Sequence, residues 1–284
     1  MKKLRYFIEY LLVRFWLFLI SLLGMKRATN LSIKIFTFIG MHLKATATAR
    51  KNLLMVFPKF TPEKINQIIL EVWRNLALVA SETPFLMNMK QEEFDKHIKI
   101  IGLENLEKIR GKKAIIATAH LANWEIIGKI IYSYKFKVCG VYRAANNKLV
   151  NKIIDDMRNK IEVTMIPKGR NGAKQIIAAL QNNKQVVMLV DQKMNDGIKV
   201  PFLGHDAMTA PAIATLALKY DCPIVPIQII RKNNSNFAVI IHSEIAHQNR
   251  TPEDIMEEIN QQIGEWVRQN PDQWFWLHKR WIQK

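Results

Sequence analysis

Acidic side chains are scarce in this chain. Its 284 residues carry 24 Asp plus Glu against 42 Lys plus Arg, a formal net charge of +18. Cysteine is scarcer still: Cys139 and Cys222 are the whole supply, far apart and in apolar surroundings. That excludes a disulfide scaffold and a cysteine-rich zinc site, and it fits a reducing compartment. There is no internal repeat and no low-complexity linker. A Gly-rich phosphate loop, a Gly-x-Ser-x-Gly elbow and a zinc helix with two histidines four apart are all missing. Hydrophobic residues make up 49% and charged residues 23%, so the chain buries a core and wholesale disorder is excluded.

The positive charge is concentrated at the start. Residues 1–51 hold ten basic residues and a single acid, Glu9. Such a segment points to nucleic acid or to an anionic membrane surface. Its composition favours the membrane. Lys2, Lys3 and Arg5 precede an apolar stretch at 6–23, rich in Phe, Tyr and Trp, with Glu9 and Arg14 inside it. The stretch just reaches the roughly 20 residues of a spanning helix. The internal charges break a signal-peptide pattern, and no small-x-small cleavage site follows. A retained anchor, spanning or interfacial, is the expectation. The alternative is an amphipathic helix packed on the domain. A second apolar segment at 31–43 extends the arm. Aromatics interleaved with bases also suit single-stranded nucleic acid, but no nucleic-acid module accompanies them, and nucleic acid is not expected as a partner.

Beyond the arm, Thr61-Pro62-Glu63 marks a helix start, and the helix is expected to run to near Pro84. From about residue 98, short Val- and Ile-rich runs alternate with helical stretches. Strands are expected at 114–119, 136–142, 163–166, 185–190, 224–230 and 237–242. Helices are expected at 124–132, 149–159, 173–180 and 211–220. Thr251-Pro252-Glu253-Asp254 opens a last helix with a capping box, ending near Asn270-Pro271. The alternation predicts an α/β fold: a largely parallel central sheet flanked by helices, behind an N-terminal membrane-anchoring helical arm. The division is 1–51 for the anchor and basic arm and 52–284 for a catalytic domain.

In such sheets reacting groups gather beyond the carboxyl ends of strands. There the strand at 114–119 runs into His120, in the stretch His120-Leu121-Ala122-Asn123-Trp124-Glu125. An imidazole takes a proton from a hydroxyl near neutral pH, and a carboxylate on its other nitrogen fixes the tautomer. On an unbroken helix, five positions put two side chains about 140° apart. His120 and Glu125 therefore meet only if His120 is in the loop and Glu125 in the first helical turn, with Asn123 as cap. The plainer alternative is a surface histidine at a strand end, with Glu125 favouring the helix dipole.

The motif His120-x4-Glu125 resembles the signature of the lipid A late acyltransferases, the lauroyl/myristoyl type, within the lysophospholipid acyltransferase-like superfamily. Further stretches match in order: Arg50-Lys51-Asn52-Leu53 with Phe57-Pro58, then Trp73 and Glu82, then Val141-Tyr142-Arg143. The basic glycine loop 167–173, Val190-Asp191-Gln192, Val200-Pro201-Phe202-Leu203-Gly204 and the tail 271–281 follow. The likeness spans about residues 10 to 281. His-x4-Glu alone is weak, whereas the ordered set is specific.

The resemblance implies transfer of an acyl chain from a carrier thioester to the 3-hydroxyl of an acyl chain on a lipid A precursor. His120 would be general base and Glu125 its orienting partner. Arg170 or nearby backbone N–H groups would stabilise the oxyanion, with Lys168 as rival. Asn123, Trp124, Arg143, Asp191 and Gln192 are expected to bind substrate or brace loops. The implied donor is acyl carrier protein, or acyl-CoA, with no metal or cofactor, at the cytoplasmic face of a bacterial inner membrane. A lysophospholipid or another membrane glycolipid is the alternative acceptor. Against it, the FPEGTR-like block of glycerolipid acyltransferases is absent. A membrane-bound scaffold with a dead site is the alternative of another class. His42, His97, His205, His242 and His247 read as surface or packed. His278 lies in a tryptophan-rich tail that suits either the membrane interface or a core helix end.

Overall fold

A computed structural model describes residues 2–158 and 163–281. In chain order the elements are α1 (Lys2–Gly40), α2 (Lys44–Val56), α3 (Pro62–Asn88), α4 (Gln91–Asp95), β1 (Ile98–Ile101), α5 (Leu103–Glu107) and β2 (Ala114–Thr118). A 3-10 turn (Trp124–Ile126) leads into α6 (Ile127–Ser133), then β3 (Val138–Tyr142), α7 (Lys148–Arg158), β4 (Thr164–Pro167) and α8 (Arg170–Gln181). The rest are β5 (Gln185–Leu189), β6 (Lys193–Phe202), β7 (His205–Thr209), α9 (Ala212–Tyr220), β8 (Ile224–Asn233), β9 (Asn236–Ile241) and α10 (Pro252–Gln269).

Seven strands form one sheet in the order β1-β9-β8-β2-β5-β3-β4. Every pairing is parallel except the hairpin β8–β9. The expected largely parallel α/β fold is therefore what forms. Its central strands are buried on both faces. Ile115 and Ala117 of β2 join the cluster beneath α2, α3, α9 and α10, while Ala114 and Ile116 join the one beneath α6. Two-sided cover explains why these strands read as continuous apolar runs rather than alternating ones. Each buried Ile or Val contributes about 1.5–3 kcal/mol relative to exposure.

Some elements differ from expectation. α1 is broken at Gly24, whose φ of +69° is open to glycine and costly for other residues. Its first half leaves Leu4, Phe7, Ile8, Leu11, Leu12, Phe15 and Phe18 exposed. The second half lies on α3, burying Ala28, Thr29 and Ser32, and Gly40 sits against the Trp73 ring so closely that a Cβ would collide. Among the described residues, α1 alone is long and apolar enough to cross a membrane. α3 starts as expected, with Thr61 Oγ1 accepting from Lys64 N, but it continues through Pro84 to Asn88. Its last carbonyls are satisfied by the buried Lys129 ammonium, which donates to Leu86 O (2.6 Å) and Met89 O (2.7 Å). These are carbonyls that a helix end leaves without intrahelical partners. α2, α4, β1, α5 and the hairpin β6–β7 are elements beyond those expected. The expected helix at 149–159 is α7, and residue 159 lies outside the described residues.

Candidate active site

The sheet's connections diverge between β2 and β5. After β2 the chain crosses toward β3 and β4; after β5 it returns to β8 on the other side. A crevice opens beyond the strand ends at such a point. Registry then brings two distant residues together. Thr118 pairs with Leu189, so two residues further along each strand His120 faces Asp191. His120 Nδ1 lies 2.7 Å from Asp191 Oδ1, and the His120 backbone N–H donates to Asp191 Oδ2 at 2.8 Å. Asp191 is wholly buried, and Trp274 Nε1 donates to its Oδ2 at 2.7 Å. Burial alone would raise the Asp191 pKa. The His120 charge and hydrogen bond, the nearby His278 and the Trp274 bond outweigh it and hold the carboxyl well below the usual range.

Asp191 thereby holds a proton on Nδ1 and leaves Nε2 as the basic nitrogen. Nε2 faces the amide of Gln192 at 3.2 Å. Trp124 and Phe275 flank the imidazole, with ring centroids 5.2 and 6.3 Å away. The C-terminal tail clamps the loop. Phe275 N donates to His120 O (3.1 Å), and Ala122 N to Gln273 O (3.0 Å). Ala122 sits at φ +50°, a left-handed conformation that costs an alanine about 1 kcal/mol and is held by this pairing.

Glu125 does not brace the imidazole. Its carboxylate receives a bidentate pair from Arg158, with Arg158 Nη2 at 3.0 and 2.9 Å from the two oxygens. The 3-10 turn carries Glu125 away from the histidine toward α7. His120 and Glu125 still share one cleft, of about 290 Å³. Its depth is apolar, formed by Met87, Ile127, Val138, Val163, Met165 and Val187, and Gly140 keeps it open. A Cβ at Gly140 would lie 3.0 Å from Met165 Sδ. Arg143, Arg158 and Lys168 supply cationic walls, and Trp124 and Gln192 also line the cleft.

Two further expectations are corrected. Arg170 does not line this cleft; it is exposed at the first turn of α8, one residue past the turn at Gly169. Asn123 is fully buried and contacts no open space. It caps the 3-10 turn through Glu125 N (3.2 Å), as expected, but its amide donates to Glu82 Oε1 (2.9 Å). Glu82 is itself buried and paired with Arg231 at 2.7 Å, and Ser235 Oγ donates to it at 2.7 Å. The tail tryptophans are core: Trp274, Trp276 and Trp281 are 1%, 0% and 3% exposed, and His278 is half-buried beside Trp274. Burial pushes the His278 imidazole pKa down. Sequence reasoning missed Arg158 altogether, since nothing in its helix marks it. Among the described residues, no three His, Cys, Asp or Glu side chains converge to hold a metal ion.

The sequence profile of the bacterial lipid A biosynthesis acyltransferases matches residues 1–283. The chain belongs to that family. It is 23% identical to the lipid A biosynthesis palmitoleoyltransferase of Escherichia coli K12, covering 96% of this chain and 93% of that protein. It is 22% identical to a lipid A biosynthesis acyltransferase of Haemophilus influenzae, covering 93% and 84%. Among solved structures it is similar to the 1-acyl-sn-glycerophosphate acyltransferase of Thermotoga maritima: TM-score 0.43, 14% identity, 87% and 99% of the two chains. As a member of this family, the acyltransferase acts in lipid A biosynthesis.

Proposed function

We propose that this acyltransferase moves a fatty acyl chain from a carrier thioester to the 3-hydroxyl of an acyl chain on a lipid A precursor. One observation carries the reading: an imidazole braced by buried Asp191 opens on a cleft that is apolar in depth and cationic at its walls. His120 Nε2 takes the hydroxyl proton as the oxygen attacks the thioester carbonyl, displacing the Gln192 amide. Negative charge gathers on the carbonyl oxygen, and Arg143, Lys168 or Arg158 stabilises it. Collapse breaks the carbon–sulfur bond, and the departing thiolate takes the proton back from the imidazolium. The apolar depth holds the donor chain. The exposed Arg143, Lys168 and Arg170 suit an acidic donor such as acyl carrier protein. The exposed apolar face of α1 supports work at a membrane surface, which we take to be the cytoplasmic face of a bacterial inner membrane.

Mass spectrometry of lipid A from a strain lacking the protein tests this. A missing secondary acyl chain, restored by the wild type and not by His120→Ala, is the expected result. Unchanged lipid A with altered phospholipids would assign the enzyme to another acceptor.

A further inference from the structure

The Glu125–Arg158 pair has a second cavity behind it. About 690 Å³ of apolar space lies between α1, α3 and α7, walled by Leu12, Trp16, Val79, Ala80, Ile153 and Met157 among others. Glu125, Arg158 and Met87 line both this groove and the His120 cleft. The pair is thus the threshold between the two. α7 roofs the groove as a strap fixed at both ends. At one end Asn147, which caps the helix, donates to Tyr6 O (2.8 Å) and Glu9 Oε2 (2.9 Å) of α1. At the other end Arg158 grips Glu125. Between the ends, Val150, Ile153, Ile154 and Met157 fall at the spacing of one helical face and all line the groove. Yet no residue of α7 is buried. Its apolar face spans a space instead of packing into a core.

The groove's volume falls within the range of ligand pockets, about 300–1,000 Å³. Its lip is continuous with the surface that α1 turns outward: Leu12 and Ile39, 62% and 51% exposed, belong to both. An occupant entering there comes from an apolar phase. On the proposed reading, the donor chain occupies the cleft between α6 and the sheet. We propose that the α1–α3–α7 groove seats the hydroxyl-bearing acyl chain of the lipid acceptor. The chain would enter sideways past α1 and deliver its hydroxyl over the Glu125–Arg158 threshold to His120. This rests on the reading of the acceptor as a hydroxyacylated membrane lipid.

The test fills the groove from two walls. Ala80→Phe on α3 and Ile153→Trp on α7 are made in the full-length protein in mixed micelles. The acceptor is a hydroxyacylated glucosamine disaccharide lipid. Acyl transfer is followed against acceptor concentration, and slow hydrolysis of the donor thioester is followed without acceptor. The expected result is an acceptor KM raised roughly tenfold or more, with donor hydrolysis within about twofold of wild type. An unchanged acceptor KM in both variants overturns the proposal. So does an equal loss of donor hydrolysis, which would assign the groove to the donor chain. As a second readout, the same lipid with a diazirine at its chain end should label α3 and α7 of the wild type on illumination. Labelling confined to β3 and β5 overturns the assignment. If the disaccharide lipid is not acylated at all while a lysophospholipid is, the proposed function fails, and the labelling still reports on the groove.

Discussion

At the scale of single residues, the work of bracing His120 falls to Asp191, and two substitutions separate it from Glu125. Asp191→Asn keeps the shape but leaves the buried amide unable to hold the required tautomer. Turnover should fall about 10⁴-fold with the acceptor KM nearly unchanged, by analogy with buried carboxylates behind catalytic histidines. Initial-rate kinetics check this, and a loss confined to KM would show that Asp191 merely supports binding. Glu125→Ala strands the Arg158 guanidinium between two apolar spaces and should cut turnover about 10²-fold. Because the loss works through Arg158, adding Arg158→Met should cost nothing further, and in a double-mutant cycle the two should be strongly non-additive. Independent, additive losses would point to direct contact of Glu125 with substrate.

At the scale of elements, the break at Gly24 divides α1 by role. Residues 2–23 present an apolar face outward, whereas residues 25–40 are part of the α3 packing. A chain lacking residues 2–23 should leave the membrane pellet for the soluble fraction while staying folded. Persistence in the pellet at high salt would place the anchor elsewhere. Glu9 is the one acid in that arm, and its contact with Asn147 ties the arm to α7. The same deletion therefore also frees one end of the strap. Deeper in the fold, Glu82 of α3, Arg231 of β8 and Asn123 of the His120 loop share one buried network. Arg231→Met would leave Glu82 buried without its counter-charge. The expected cost is about 3–5 kcal/mol, read as a lowered denaturant midpoint. A shift below about 1 kcal/mol would mean water reaches the network.

At the scale of the whole molecule, two half-buried histidines couple stability to pH. Burial holds the pKa of both His242 and His278 below the ordinary 6.5. The unfolded chain takes up protons as pH falls through about 6.5, while the folded chain resists until lower pH. Stability is therefore full above that value and declines as pH drops toward the folded-state pKa values. Thermal melts should show Tm falling between pH 7 and 5, with a shallower slope in His242→Gln/His278→Gln. An unchanged slope would assign the acid sensitivity to other groups.

Much of this architecture was legible in the amino-acid order. Periodicity and capping residues are local properties, so the strand–helix alternation, the Thr61 and Thr251 helix starts and the loop position of His120 could be read directly. The hairpin β6–β7 could not, because its strand β6 is only partly covered and carries polar residues such as Lys193, Asn195 and Asp196. Pro84 misled because an internal proline removes only one backbone bond, and the tertiary burial of Leu86 and Met87 carries α3 past it. By itself the sequence determined most of the strand–helix alternation, the basic apolar arm and the histidine at a strand end. Tertiary structure alone decided which carboxylate serves that histidine. Glu125 is five residues away along the chain, but the parallel register of β2 with β5 sets Asp191, 71 residues on, against the imidazole. Proximity in a parallel sheet is set by strand pairing, and no local pattern encodes it.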